Sequence, residues 1–253
     1  IRSAAEKLRK IYEEYLRGTE VNAFISVIPD KGYFLADENG YLSLDYEAFF
    51  DLVRENTDFA EYIDISGLLK ITDYYKTDTH WSQDNITPVA NAILAKMCGG
   101  ETGEFDRITA DVPFYGVYYG QSALPLAPDA IHYLTNAVLS ACTVYNVETN
   151  ETTGIYNMDK LTGRDPYDVF LSGASAVLII DNPMAKADKE LVVFRDSFGS
   201  SLTPLLCENY AKITLLDTRY LDPSLIGEYV DFTNQDVLFI YGTALLNNSG
   251  VLK

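Results

Sequence analysis

Hydrophobic residues in the first third of the chain switch between helical and strand spacing. Apolar side chains three to four positions apart, from Ala4 to Leu16, predict an amphipathic helix over residues 3–17 that ends at Gly18. The largely apolar segment at residues 22–28 predicts a buried strand, which Pro29 terminates. The same patterns then predict a helix capped by Asp45, a short strand at residues 62–65, and a helix that begins at Thr87 and Pro88 and stops at residues 99–100.

The pattern changes at about residue 104. Residues 104–175 contain short Tyr- and Thr-rich segments with Gly and Pro between them, which indicates a β-rich insertion. Apolar strands then alternate with helices: strands at 176–180, 191–194, 213–216 and 237–241, helices near 201–210 and 224–230. This order predicts an α/β fold with a mostly parallel central sheet covered on both faces. We expect a single domain over residues 1–253 that carries the insertion.

Composition narrows the possible partners. The 253 residues include 19 Lys plus Arg and 37 Asp plus Glu, which give a formal net charge of −18. Such a charge repels phosphate backbones and anionic lipid surfaces, so nucleic acid is not an expected partner. The acidic residues are dispersed, as on an ordinary solvated surface. Hydrophobic residues make up 47% of the chain, enough for one large core.

No pattern in the sequence predicts a cofactor. Cys98, Cys142 and Cys207 are far apart and form no zinc-ligand spacing, and no Gly-rich phosphate loop is present. No metal, nucleotide or flavin is therefore expected. No run approaches the roughly 20 apolar residues of a membrane span. The chain begins at Ile1, so a leader or anchor could precede it.

Ser197 lies where an open α/β sheet places its ligands. It follows the apolar strand at 191–194 by three residues and precedes a predicted helix, and ligands on such sheets bind beyond the carboxyl ends of the strands. A serine in this turn offers a nucleophile together with its own backbone N–H as an oxyanion donor. The alternative is that Ser197, Ser200 and Ser201 only cap the helix.

Asp78 and His80 form the second candidate element. Residues two apart in an extended segment point the same way, so both side chains can project from one face. A carboxylate against one imidazole nitrogen fixes the tautomer, and the other nitrogen can then take a proton from a serine. The chain holds two histidines, and the other, His132, lies in the insertion without an obvious ligand partner. A structural loop histidine beside a carboxylate is the alternative for His80.

Aromatic residues near these elements are candidates for substrate binding. Trp81 is the single tryptophan and adjoins His80, where its face could stack on a sugar ring. Tyr115, Tyr118 and Tyr119 are clustered in the insertion and could form a carbohydrate-binding surface. Packing in the core is the alternative for all four side chains.

Four motifs resemble one known family. They are Tyr75–Ser82 (YKTDTHWS), Leu161–Leu171 (LTGRDPYDVFL), Arg195–Phe198 (RDSF) and Asp217–Tyr220 (DTRY). Their order resembles the bacterial DHHW proteins, which are related to the SGNH-like domains of alginate and cell-wall O-acetyltransferases. The likeness spans nearly the whole chain. Each motif alone is weak, but four in this order are fairly specific.

The resemblance implies both an architecture and a chemistry. It implies a three-layer SGNH-like fold in which the Asp-x-His element precedes the serine element. It also implies an extracytoplasmic, cell-envelope location. Carried over to this chain, Ser197 would be the nucleophile, His80 the general base and Asp78 the carboxylate that orients it.

The chain departs from the family pattern at three places, one of which is the Arg195–Phe198 turn (RDSF), where ordinary SGNH hydrolases carry Gly-Asp-Ser-Leu. Thr79 stands where the family name records the first of two histidines. SGNH hydrolases also place an oxyanion-binding Asn after a Gly at a later strand end, whereas this chain has Gly242-Thr243-Ala244. Losing one oxyanion donor costs about 100- to 1000-fold in rate. Arg219 and Tyr241, each near a strand end, are the candidate substitutes. Their alternatives are an ion pair with Asp217 or Asp222 for Arg219 and ordinary packing for Tyr241.

Two functions from different classes fit these observations. The first is a serine-dependent acyl esterase or O-acetyltransferase that acts on cell-envelope carbohydrate, the transferase taking its acyl group from a membrane partner. The second is a non-catalytic carbohydrate-binding or scaffolding module on the same fold, which the missing Asn and the many tyrosines favour. The sequence does not separate hydrolase from transferase.

Overall fold

The architecture is built on a large mixed sheet, seen in a computed structural model that describes residues 1–123 and 125–253. Its strands are β1 (Asn22–Ile28), β2 (Glu61–Tyr62), β3 (Asp106–Phe114), β4 (Asp129–Thr135), β5 (Thr143–Asn146), β6 (Glu151–Thr153), β7 (Val177–Asp181), β8 (Glu190–Arg195), β9 (Lys212–Leu216) and β10 (Asp236–Gly242). The strand order in the main sheet is β2-β1-β10-β8-β9-β7-β5-β6, and β3 and β4 form a separate antiparallel pair.

Helices connect these strands. The α-helices are α1 (Arg2–Ile11, extended by a π-helical turn at Tyr12–Leu16), α2 (Lys31–Leu35), α3 (Tyr46–Asn56), α4 (Thr87–Met97), α5 (Val117–Ser122), α6 (Ala137–Ala141), α7 (Gly199–Leu202) and α8 (Thr243–Asn247). Short 3₁₀ helices lie at Ser66–Leu68, Ile71–Asp73, Gln83–Asn85, Met158–Thr162, Pro166–Val169, Thr203–Asn209, Pro223–Glu228 and Ser249–Val251. Among the described residues, no helix combines the length and apolarity needed to cross a membrane.

The α/β class with helices on both sheet faces is confirmed, but the prediction of a mostly parallel sheet is wrong. Strands β2, β1, β10, β8 and β9 are parallel, whereas β7, β5 and β6 join the sheet antiparallel. The connection from β7 to β8 explains the reversal. A parallel return needs a crossover of a dozen or more residues, and the short loop at residues 182–189 is too short to provide one.

Side chains of the central strands alternate between two cores. In β8, Leu191 and Val193 pack on the face covered by α4 and α7, and Val192 and Phe194 pack on the face covered by α1 and α3. Both faces are therefore apolar, which is why these strands appear in the sequence as continuous hydrophobic runs. The carboxyl ends of β8 and β10 lie side by side, since the two strands are paired in parallel.

The predicted insertion contributes to two parts of the molecule. Strands β3 and β4 form a hairpin over a third, smaller core around Phe114, Tyr167 and Phe170, while β5 and β6 extend the edge of the main sheet. The hairpin brings residues 114–119 against the loop that carries His80. The division of the chain into a domain and an insertion stays a prediction.

Candidate active site

Ser197 occupies a tight turn at the carboxyl end of β8. The Asp196 side chain holds this turn, because Oδ1 accepts the Phe198 N–H at 3.0 Å and Oδ2 accepts the Gly242 N–H at 2.8 Å. The second contact ties the turn to the end of β10. Ser197 itself is half-buried, and its backbone N–H donates no hydrogen bond to any described residue. The turn therefore presents the Ser197 hydroxyl and a free N–H at the carboxyl end of β8.

His80 lies in a tight loop rather than the extended segment predicted from the Asp-x-His spacing. Residues 76–80 are bends, closed by the Tyr75 N–H to His80 O hydrogen bond of 3.0 Å. Asp78 Oδ1 accepts the backbone N–H of His80 at 2.9 Å, a local turn that Asp side chains commonly make. Thus the carboxylate and the imidazole meet because the backbone turns back on itself.

The three polar side chains form one hydrogen-bonded chain. His80 Nε2 lies 2.8 Å from Ser197 Oγ, and His80 Nδ1 lies 2.6 Å from Asp78 Oδ1. Asp78 Oδ2 accepts the Val117 N–H at 3.0 Å, at the start of α5. This order of hydroxyl, imidazole and carboxylate is the arrangement in which an imidazole removes a proton from a nucleophilic hydroxyl.

The environment of Asp78 favours its ionised form. Burial by itself raises the pKa of this carboxyl, since the side chain is almost fully enclosed. The hydrogen bond and charge of His80, with the N–H groups of His80 and Val117, outweigh burial and leave the pKa below its ordinary value. Asp78 is therefore an anion beside the imidazole at neutral pH.

Gly116 makes this close approach possible. A Cβ at Gly116 would lie 2.2 Å from the Asp78 Cβ, so any larger residue would displace the carboxylate or the start of α5. The neighbouring Thr77 fastens the loop from the other side. Its N–H and hydroxyl both donate to Asp129 Oδ2 at 2.7 Å, and its hydroxyl accepts the Gly116 N–H at 3.1 Å.

Two aromatic rings restrict the His80 imidazole. Tyr167 stacks on it with a centroid distance of 3.9 Å and an interplanar angle of 8°, and Phe198 approaches at 4.9 Å and 61°. The Tyr167 ring is itself fixed, because its hydroxyl lies 2.8 Å from Ser201 Oγ, which also accepts the Trp81 Nε1–H at 2.9 Å. The imidazole is therefore held between Asp78 and Ser197 by packing as well as by hydrogen bonds.

Two fully buried charged residues, Arg195 and Asp217, lie next to the Ser197 turn. The fully buried Arg195 donates from Nη1 to Ser200 Oγ at 3.1 Å and lies 3.8 Å from Asp217 Oδ2. Burial lowers the pKa of the Arg195 guanidinium despite the nearby Asp217. Burial also raises the pKa of Asp196, although the Gly242 N–H opposes that shift.

Ser197 opens into a cavity of about 600 Å³, called here the Ser197 cavity. Its wall combines polar groups near the hydroxyl with apolar side chains farther out: Thr79, Asp196, Ser197, Phe198, Arg219, Tyr220, Gly242, Ala244, Leu245, Asn248 and Val251. The volume is in the range of small-molecule sites in proteins. A substrate carbonyl can therefore reach the hydroxyl.

Of the predicted oxyanion donors, two lie at this cavity and one does not. Ser197 and Arg219 both line the wall, and Arg219 also pairs with Asp217 through Nε at 2.9 Å and Nη2 at 2.6 Å. Tyr241 is fully buried on the opposite face of the sheet, with its hydroxyl 3.5 Å from Thr218 Oγ1. The alternation of side chains along β10 points Tyr241 away from Ser197, which corrects that prediction.

The structure also corrects one predicted sugar-binding residue, Trp81, whereas Tyr118 stays a prediction. Trp81 is completely buried, packs edge-on against Phe198 at 5.3 Å, and leaves no face for a ligand. The Tyr118 ring accepts the Lys31 ammonium at 4.7 Å from its centroid. Tyr115 and Tyr119, by contrast, line a second cavity of about 620 Å³ next to Asp78.

Several site residues were not singled out as functional by the sequence. Tyr167, Ser201 and Asp129 each hold part of the Asp78–His80 loop or the imidazole. Tyr167 had a signal, because it lies inside the Leu161–Leu171 motif that carried the family resemblance. Ser201 and Asp129 had none, since their contacts join residues far apart in the chain.

Solved structures of the same fold are similar to almost the entire chain. A DHHW family protein from Eubacterium siraeum superimposes with a TM-score of 0.80 at 22% identity, covering 99% of this chain and 87% of that one. PatB1 of Bacillus cereus, solved with a sulfonyl adduct, gives 0.74 at 19% identity and covers 96% and 87%. A second structure of Bacillus cereus PatB1 gives a TM-score of 0.73 at 18% identity, covering 96% of this chain and 88% of that one.

Sequence comparison assigns the family independently of these structures. No curated protein is similar enough in sequence to count as a relative. The family model described as DHHW protein matches residues 63–216, more than half of the chain, and that range includes Asp78, His80 and Ser197. The chain therefore belongs to the DHHW protein family.

Proposed function

We propose that this protein is a serine-dependent acyl esterase or O-acetyltransferase that acts on carbohydrate of the cell envelope. The observation that carries the proposal is the continuous chain from Ser197 Oγ through His80 to Asp78, with distances of 2.8 and 2.6 Å. A hydroxyl so placed loses its proton to imidazole as it attacks an ester carbonyl, and the buried carboxylate stabilises the imidazolium that forms.

The reaction would proceed in two acyl transfers. Ser197 Oγ attacks the acetyl carbonyl, and the tetrahedral intermediate collapses when His80 returns the proton to the departing alcohol. The acetyl-serine is then attacked by water in an esterase or by a sugar hydroxyl in a transferase. The free Ser197 N–H and the Arg219 guanidinium would stabilise the oxyanion in place of the missing Asn.

The cellular setting is part of the same proposal. A net charge of −18 does not suit a nucleic-acid or anionic-membrane partner, whereas envelope glycans present the hydroxyl groups that this chemistry modifies. We place the protein outside the cytoplasm, with a membrane protein as the acyl donor if it is a transferase.

PatB1 carries a sulfonyl adduct, and sulfonyl reagents react with activated nucleophiles.

A chromogenic acetyl ester tests the chemistry. The wild-type protein should release the chromophore and lose this activity after treatment with a sulfonyl fluoride, and Ser197→Ala should be inactive from the start. Equal turnover by wild type and Ser197→Ala would contradict the proposal. A folded wild type without turnover, in which both forms bind a glycan equally, would establish the alternative binding module.

A further inference from the structure

A second cavity lies at the other end of the hydrogen-bonded chain that starts at Ser197. This α5 cavity of about 620 Å³ is lined by Tyr115, Gly116, Val117, Tyr119, Gly120, Lys160, Gly163, Arg164, Asp165 and Asp168. Gly116 packs directly on Asp78, and the Val117 N–H donates to Asp78 Oδ2. Gly116 therefore lies between the α5 cavity and Asp78. None of the groups proposed to react lines this cavity.

The lining of the α5 cavity suits a sugar. Tyr115 and Tyr119 lie with their ring centroids 4.5 Å apart at an angle of 50°, and Tyr115 is 43% exposed, so aromatic surface is open to a ligand. Aromatic faces stack on the C–H face of sugar rings while polar groups around them bind the hydroxyls. Gly116, Gly120 and Gly163 keep the backbone accessible between these rings and the opposite wall.

Charged groups of both signs complete the opposite wall. Among the described residues, no carboxylate oxygen lies within 4.0 Å of the Lys160 ammonium or the Arg164 guanidinium, so both cations are free to donate. Asp165 and Asp168 supply acceptors. A ligand that donates and accepts at many positions, as a polyol does, matches this mixture better than an apolar or purely anionic one.

The wall is held in place by a strained turn. Leu171, Ser172 and Gly173 have successive positive φ values of 55°, 64° and 91°. A Cβ at Gly173 would lie 2.3 Å from Asp168 Oδ1, so the glycine is required for the carboxylate to occupy its position. Burial and the neighbouring Asp165 raise the pKa of Asp168, so two carboxyl groups are kept close together at a cost. Strain retained beside a cavity is typical of functional sites.

We propose that the α5 cavity binds a second sugar residue of the acceptor or acetylated glycan, so that the substrate is an oligosaccharide rather than a single sugar. This inference rests on the proposed function, and it specifies the substrate class. One sugar would present its hydroxyl or acetyl ester to Ser197 in the Ser197 cavity. A neighbouring sugar of the same chain would pass over Thr79 and stack on Tyr119.

Binding to a protein that cannot react separates this inference from the chemistry. Calorimetric titration of Ser197→Ala with N-acetylated chitotetraose and with cellotetraose is compared with titration by N-acetylglucosamine and glucose. We expect at least one tetrasaccharide to bind about tenfold more tightly than its unit sugar, which corresponds to about 1.4 kcal/mol of added binding free energy from the stacked second sugar. Adding Tyr119→Ala should remove that gain, and Tyr119→Phe should keep it. Tyr41→Ala, an exposed tyrosine outside both cavities, is the matched control.

The outcomes distinguish this inference from the proposed function. If neither tetrasaccharide binds more tightly than its unit sugar, or the gain survives Tyr119→Ala, the subsite does not exist, whatever the esterase assay shows. If the gain depends on Tyr119 but the wild type cleaves no acetyl ester, the cavity binds glycan and the acyl chemistry is wrong.

Discussion

The Ser197 cavity and the α5 cavity have nearly equal volumes, about 600 and 620 Å³, but different contents. The first contains a hydroxyl in contact with an imidazole, a free N–H and an arginine, and an apolar outer wall. Among its described lining residues, the second contains aromatic rings, glycines and two cations without a carboxylate partner, and no nucleophile beside a base. They share one structural element, the Asp78–His80 loop, which reaches Ser197 at one end and α5 at the other. One loop thus orients the imidazole beside Ser197 and also anchors α5, which lines the second cavity.

Removing the Ser197 hydroxyl should affect the two cavities most differently. Ser197→Ala should reduce acetyl-ester turnover by about 10⁶-fold, because removing a serine nucleophile abolishes the covalent route. Oligosaccharide binding in the α5 cavity should be unchanged in the same variant. Ser140→Ala, an exposed serine on α6, serves as the control and should keep full activity. Parallel loss of both properties in a folded Ser197→Ala protein would mean that the two cavities are not separable.

Asp78 lies between the two cavities. Removing its charge should therefore lower catalysis at Ser197 strongly and change glycan binding in the α5 cavity little. Asp78→Asn should lower kcat by about 10⁴-fold, since the wrong imidazole tautomer is then favoured and the imidazolium loses its partner. The amide oxygen can still accept the Val117 N–H, so α5 should stay in place and glycan affinity should change little. Steady-state kinetics with the chromogenic ester measure the first effect. A fall of less than tenfold in kcat would exclude Asp78 from the proposed role.

Tyr167 positions the His80 imidazole by stacking on it and does not itself touch a substrate. Tyr167→Leu removes the stacked ring and should lower kcat by about 100-fold with a small change in KM, as expected when a reacting group is misplaced. Tyr167→Phe keeps the ring and loses only the contact with Ser201, so its kcat should fall less than tenfold. Thermal unfolding of both variants checks that the fold survives. Equal rates for the Phe and Leu variants would contradict a role for stacking.

The smallest effect concerns stability in acid. The folded-state pKa of Asp78 lies below its ordinary value, so the carboxylate binds fewer protons in the folded state than in the unfolded chain. Its stabilisation is therefore fully present above the unfolded pKa of about 3.9 and is lost as the pH falls through the folded pKa. The difference in unfolding free energy between wild type and Asp78→Asn should shrink on going from pH 6 to pH 3. A constant difference would show that the charge of Asp78 does not stabilise the fold.

Sequence patterns predicted the layered α/β fold because burial on both faces leaves a direct record in the chain. The runs at β8 and β10 are continuously apolar, and a parallel sheet covered on both sides requires that. Strand direction leaves a weaker record. The antiparallel β7 depended on the length of the loop at residues 182–189, not on the composition of the strand.

The candidate site was predictable in part. Ser197, His80 and Asp78 stood out because the chain has only two histidines and because Ser197 lies in the turn between a buried strand and a helix. Contacts between distant segments had no counterpart in local sequence: Tyr167 over His80, and Ser201 joining Tyr167 to Trp81. Trp81 was misassigned for the same reason, because its burial depends on contacts with the distant Phe198 and Ser201. Tyr241 was misassigned because the side of the sheet on which a strand residue packs depends on strand register.

The most direct test of the central claim is to trap the acyl group on the enzyme. The wild-type protein is mixed with an activated acetyl ester, quenched in acid within milliseconds to seconds, digested and analysed by mass spectrometry. We expect an acetyl group on the wild-type peptide that contains Ser197. The same peptide from His80→Ala should carry no acetyl group under identical conditions. An acetyl group that forms equally in His80→Ala, or turnover with no acetylation of Ser197 at any quench time, would contradict the central claim.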